Sequence, residues 1–180
     1  MAKLTSDKWV DAGLAALAEG GVENVRIEPL ARKLGATKGS FYWHFADRGA
    51  LLAAVRKAWE ESQTGNIIES IELEGGTPRA KLQRLVTRIG TMNVGLEAAM
   101  RRWAATDADV REQVVKIDTI RIGHLKSVIE SAGVSAEHAL DRARLLYHAF
   151  VGEVAFGRPV SDPERATTAQ SIQDLILRSA

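Results

Sequence analysis

The chain has 180 residues, of which 46% are hydrophobic and 26% charged, and its 24 basic and 23 acidic residues leave a net charge of +1. That composition is ordinary for a soluble protein and long enough to bury a substantial core. The absence of cysteine excludes disulfides, thiolate metal sites and thiol nucleophiles, and no apolar run approaches the ~18–20 residues that cross a bilayer.

Helical periodicity dominates from the start, and no segment alternates with period two. A first helix is expected after Thr5 or Ser6, with Val10, Leu14, Leu17 and Ala18 on one face and Gly20-Gly21 at its end. The stretch Ile27 to Phe45 then reads as two short helices around a tight turn. Leu30, Ala31 and Leu34 supply the inner face of the first, and Gly35 takes the left-handed conformation that ends it. Thr37 caps the second helix, from which Phe41 and Phe45 turn inward. Lys38, Gly39, Ser40, Tyr42, Trp43 and His44 are left to face outward. A cation and several hydrogen-bonding groups on a short helix suit a nucleic-acid major groove.

Charge is focused on the same stretch. Residues 26–48 hold five basic and two acidic side chains, whereas residues 61–180 hold fifteen and sixteen. Focusing of this kind fits phosphate contact, although small basic clusters also occur on solvated helix faces.

Asp47 is expected to cap a fourth helix that carries Leu51, Leu52, Val55, Ala58 and Trp59 and runs on towards Ile67, Ile68 and Ile71. Gly75-Gly76-Thr77-Pro78 breaks the chain, with Thr77 as cap and Pro78 as first helical residue. Leu82, Leu85, Val86, Ile89 and Met92 keep helical spacing beyond it, and a shorter helix carries Leu96, Met100 and Trp103. Thr106 with Asp109 reads as a capping box for a long helix over 107–132. Gly133 ends that helix, Ser135 to Phe156 forms the next, and Pro163 to Ser179 the last. The expected fold is all-α, about nine helices.

The residues Ala31, Gly35 to Phe45, Arg48, Leu51 and Leu52 together resemble the DNA-binding domain of the TetR family of bacterial transcriptional regulators. A Gly turn, a Lys-Gly-Ser core, an aromatic pair, His-Phe and then a basic residue match the family pattern almost throughout, over about a third of the chain. The resemblance implies a helix-turn-helix domain over 1–48, the core of a family domain of about sixty residues. A connecting helix over 47–71 joins it to a helical effector-binding and dimerisation domain over 49–180. It further implies DNA contact by Thr37, Lys38, Gly39, Ser40, Tyr42, Trp43, His44 and Arg48, with Trp43 equally able to pack beneath the fourth helix. Arg26 stands where the family commonly has a capping Ser or Thr; it can replace the phosphate contact but not the cap. Glu28 beside it repels phosphate, yet can accept from cytosine N4.

For the second domain, Asp118, Arg121 and His124 fall among apolar positions of one helix, with Asp118 and Arg121 spaced to pair on its surface. Polar groups in an apolar wall are what a ligand pocket needs for orientation. Trp103, Arg121, His124 and Tyr147 are the candidate effector-binding residues. Small residues Ala139, Ala143, Gly152, Ala166 and Ala169 on the two C-terminal helices suit a four-helix dimer interface. The partners implied are double-stranded DNA with a palindromic operator, a small-molecule effector and a second copy of the chain. No catalytic constellation, cofactor motif or metal-ligand spacing among the four histidines is present, so no enzyme activity and no cofactor are expected. Met1 leads directly into Lys3, Thr5, Ser6 and Asp7 without a signal-peptide core, and a cytoplasmic location is expected. The rival reading is a DNA-binding or architectural protein that uses the same motif without an effector.

Overall fold

A computed structural model describes residues 4–90, 92–156 and 171–177. Among the described residues the regular structure is helical throughout. The helices are α1 (Ser6–Gly20), α2 (Ile27–Lys33), α3 (Lys38–Tyr42), α4 (Arg48–Glu60), α5 (Asn66–Glu74), α6 (Pro78–Gly90), α7 (Val94–Thr106), α8 (Ala108–Ser131) and α9 (Ala136–Phe156), and residues 171–176 are also helical. A π-helical turn, Glu61–Gly65, lies between α4 and α5, so the expected long fourth helix is realised with one irregular turn inside it. None of the described helices is long and apolar enough to cross a membrane.

The chain divides into two compact units, residues 1–62 with 95–114, and residues 63–94 with 115–180. In the first, α1 and α4 pack closely because position 13 lacks a side chain: a Cβ on Gly13 would stand 2.6 Å from a methyl of Val55. Trp9, Leu17, Val25, Phe41, Leu51, Val55 and Trp59 are fully buried there. Phe41 is the hub, edge-on to Trp9 at 5.3 Å and stacked on Phe45 at 5.5 Å. Transfer of such aromatic surface from water is the main stabilising contribution in so small a core.

The same unit contains a buried carboxylate that periodicity does not reveal. Glu97 is 0% exposed, accepts from the Trp59 indole N–H at 3.3 Å, and pairs with Arg101 at 2.9 Å. The cap of α8 also differs from expectation. Asp107, not Thr106, accepts from the N–H groups of Asp109 and Val110 at 3.1 and 3.2 Å. Thr106 remains the last residue of α7, its hydroxyl turned back to the Trp103 carbonyl. A carboxylate is the stronger cap at a helix N-terminus, where the exposed N–H groups carry partial positive charge.

The second unit buries Ile71, Leu82, Leu85, Leu125, Val128, Ile129, Leu146, Tyr147 and Ile176 in one cluster. Ala139 and Ala143 belong to it and are fully buried within the protomer, which removes them from the expected dimer face. Their small side chains serve packing inside the chain instead. Ion pairs of Glu72 with Lys81 and of Glu74 with Arg88 brace α5 against α6. Arg79 pairs with Asp174 at 2.7 Å, and Arg142 donates to the Ile176 carbonyl at 2.6 Å. The expectations for Ala166, Ala169 and the start of the last helix fall outside the described residues.

Candidate nucleic-acid interface

The turn between α2 and α3 follows from local hydrogen bonds. The Ala36 N–H donates to the Ala31 carbonyl at 2.8 Å and the Gly35 N–H to Arg32 at 3.2 Å, with Gly35 at φ +62°. This is the Schellman arrangement, and it requires a residue that tolerates positive φ where glycine stands. Thr37 then accepts from the Ser40 N–H at 3.2 Å and starts α3, as expected. Asp47 does the same for α4 through Ala50 at 2.8 Å. Arg26 precedes α2 without making a side-chain cap.

With Phe41 anchored inward, α3 presents the opposite face to solvent. Lys38, Gly39, Tyr42 and Trp43 are exposed, while Ser40 and His44 are half-buried. Trp43 is 88% exposed, so it does not pack beneath α4. An indole left so fully in water is unusual for a folded domain. Gly39 has no internal reason to be glycine: a Cβ there would meet only the Thr37 hydroxyl, at an ordinary 3.6 Å.

Arg48 has a different placement from the outward residues. Its Nε donates to the Val25 carbonyl and a terminal nitrogen to the Val22 carbonyl, both at 2.6 Å. Those bonds tie the start of α4 to the segment before α2, and so hold the motif's angle. Arg48 still borders an open groove of about 480 Å³ that Arg26, Glu28, Arg32, Lys38 and Tyr42 also line. Arg32 was not singled out by sequence reasoning, although it lies one helical turn after Glu28 on the same face of α2.

Inside that groove Glu28 of α2 and Lys38 of α3 form an exposed ion pair. The Lys38 hydrogen bond and charge hold the Glu28 carboxyl below the usual carboxylate range, and Glu28 in turn raises the Lys38 ammonium. Both groups therefore carry full charge at neutral pH.

A second polar cluster lies wholly within the other unit. Arg121, only 9% exposed, donates from Nε to the Thr64 hydroxyl at 2.9 Å and from its terminal nitrogens to the Gln63 carbonyl at 3.2 Å and Tyr147 Oη at 3.3 Å. Tyr147 donates in turn to Asp118 at 2.6 Å. Two of the groups that receive Arg121 come from the π-helical turn, a geometry that recurs at functional sites. Tyr147 thus links Asp118 to the buried Arg121 guanidinium.

His124 lies close by. Burial pushes its imidazole down, with Glu72 opposing at 3.9 Å, and its Nε2 is buried without a hydrogen-bond partner. Arg121, His124 and Tyr147 border one apolar cavity with Ile67, Ile68, Leu85, Ile89, Met92 and Phe150. Trp103 is not among them. It is buried in the first unit, where its N–H meets Asp107 at 3.2 Å and Arg56 lies 5.8 Å from its ring. The cavity is about 30 Å³, room for roughly a single water, against ~300–1,000 Å³ for a typical ligand pocket.

Residues 10–55 match the family model described as "Bacterial regulatory proteins, tetR family". The class D tetracycline repressor of Escherichia coli is 38% identical over 55 residues, 31% of this chain and 25% of the repressor. Matches to such relatives span well under two thirds of their lengths. Over whole chains the fold is similar to that of reduced E. coli NemR, with a TM-score of 0.75, 17% identity and 97% of each chain covered. It is also similar to FadR from Bacillus subtilis in complex with stearoyl-CoA, with a TM-score of 0.67, 15% identity, and 96% of this chain and 98% of FadR covered.

Proposed function

We propose that this chain, which belongs to the tetR family of bacterial regulatory proteins through its helix-turn-helix domain, is a homodimeric transcriptional regulator. In this reading it represses by binding a palindromic operator in the cytoplasm and is released by a small molecule. The observation that carries the reading is the outward face of α3. Its lysine, glycine and two aromatics are left exposed by the fold that holds them, and they stand on a family-specific motif.

Mechanism follows from placement. α3 enters the major groove with Lys38 at its first turn, and Tyr42, one turn later, shares that face. Tyr42 and Trp43 supply apolar contact to sugar or thymine methyl, while Ser40 and His44 donate to phosphate. Arg26 and Arg32 add phosphate contact from α2, and Arg48 sets the angle between helices. A second copy supplies the other half-site through α9 and the residues after 170, where Leu145, Phe156 and Leu175 are exposed at 59, 77 and 56%. Large apolar side chains left in water favour burial against a partner.

Effector response is assigned to the cavity beside Arg121, in keeping with a structural neighbour that holds stearoyl-CoA. Occupation requires the walls to part, because the closed cavity holds little more than a water. A ligand that binds the opened form more tightly shifts the population towards it, and weakens DNA binding by the same coupling. That small volume equally favours a regulator that works without an effector. No enzymatic step is assigned to any of these residues.

Selection of bound duplexes from a random DNA pool tests the reading. It predicts an enriched palindrome with half-sites separated by one helical turn or a multiple of it. A pool that returns unenriched refutes it. Release of the selected duplex by cell-derived small molecules separates the effector-responsive from the effector-independent form.

A further inference from the structure

We infer that Glu28 and Lys38 act together as the reader of one C·G base pair, Glu28 accepting from cytosine N4 and Lys38 donating to guanine O6 and N7. The inference rests on the DNA-binding reading above and names how that surface selects sequence.

Its starting point is a carboxylate in an unfavourable place. Glu28 lies in a groove walled by Arg26, Arg32 and Lys38, on the surface that meets DNA. It cannot donate a hydrogen bond, and facing phosphate it is repelled. Already paired with Lys38, the carboxylate adds to binding where DNA offers it a further donor. The major groove offers two kinds, the amino groups of cytosine and adenine.

The position of Lys38 chooses between them. The two charged ends are already in contact, one from each helix of the motif. Cytosine N4 and guanine O6 are hydrogen-bonded to each other across their base pair, so they lie as close together as the two atoms of an ion pair. Glu28 and Lys38 therefore dock on that edge without separating. Guanine gives the ammonium two acceptors, whereas thymine gives one, beside a methyl group that would desolvate both charges without compensating them.

The same contact lowers binding to the wrong sequence. On unrelated DNA a phosphate must compete with Glu28 for Lys38, and the carboxylate is left facing the backbone unpaired. The pair thus raises affinity at one base step and lowers it elsewhere, which is how specificity is built from both signs of interaction.

The experiment uses the full chain, fluorescence anisotropy, and duplexes carrying the selected palindrome with each symmetric base pair changed in turn. For wild type, one pair per half-site is expected to be C·G, with about a tenfold or greater loss when it is replaced. Glu28→Ala is expected to abolish the preference at that pair while binding unrelated duplexes more tightly. Lys38→Ala is expected to lose the preference at the same pair. Both side chains are exposed, so each variant should melt with wild type, which circular dichroism would check. A Glu28→Ala protein that gains affinity for every duplex and keeps wild-type preferences at all positions overturns the inference. Variants that alter two different base pairs do so as well. A wild-type chain indifferent to every base change refutes the DNA-reading function itself, and the inference with it.

Discussion

Replacing Gly39 by alanine separates what the fold needs from what DNA needs. In the free protein the added Cβ would lie 3.6 Å from the Thr37 hydroxyl, and no other atom outside the local backbone comes within 4 Å. Gly39 does not have a positive φ, so the residue is free to be alanine. Helix propensity and reduced freedom of the unfolded chain then favour the variant by about 0.5–1 kcal/mol, tempered by its position in the first turn. In the DNA complex the same methyl stands where α3 meets the duplex. A contact opened by one methyl forfeits the hydrogen bonds and phosphate contacts around it, and a loss of only ~1.4 kcal/mol is already tenfold in affinity. The expected result is a thermal midpoint equal to or slightly above wild type, together with at least about tenfold weaker binding in an anisotropy titration. Unaltered affinity would refute the placement of the α3 N-terminus against DNA. A lowered midpoint would refute the claim that the fold itself has no use for glycine there.

Other expectations follow from side chains with defined partners. Arg48→Ala removes two charge-assisted bonds to the Val22 and Val25 carbonyls and should cost about 2–3 kcal/mol in denaturant unfolding, more than loss of a solvated arginine could. His124 predicts a pH dependence. Its folded pKa is depressed by burial, so below about pH 6.5 the unfolded chain binds a proton that the folded chain does not. Stability should be level above neutrality and fall as pH drops below about 7. In His124→Leu that slope should flatten, and a variant with the wild-type slope would contradict the assignment.

The helix-turn-helix was legible because its determinants are local. Gly35, Thr37 and Asp47 act within a few residues of their partners, as does Phe41 on Phe45, and the structure places each as expected. Helices with periodic apolar stripes were legible for the same reason, although α1 buries Trp9, Ala12, Ala16 and Leu17 and leaves Val10, Leu14 and Ala18 half-buried. What was missed depends on packing between segments distant in sequence. Ala139 and Ala143 suited close approach to another chain as well as to their own, and only the assembled core of the second unit decides between them. Glu97 lies among apolar positions like any solvated residue misplaced by a turn, until Trp59 and Arg101 are seen to satisfy it. Trp103 and Arg121 seemed equal candidates for a pocket, yet they sit in different units. Arg48 carried a family expectation of DNA contact, and its two backbone bonds became visible only with the preceding loop in place. The Glu28–Lys38 pair spans two helices, so it needed the angle of the turn as well as the identity of the residues.

Salt dependence of DNA binding tests most directly the claim that the outward face of α3 is the DNA-binding surface. Wild type and Lys38→Ala would be titrated against the selected duplex over a range of salt concentrations. Loss of one cation per protomer should weaken binding and lower the slope of log K against log salt by at most about 0.9 for each protomer bound, the full amount arising where the ammonium also neutralises phosphate. Equal affinity and an equal slope for the two proteins would contradict the account.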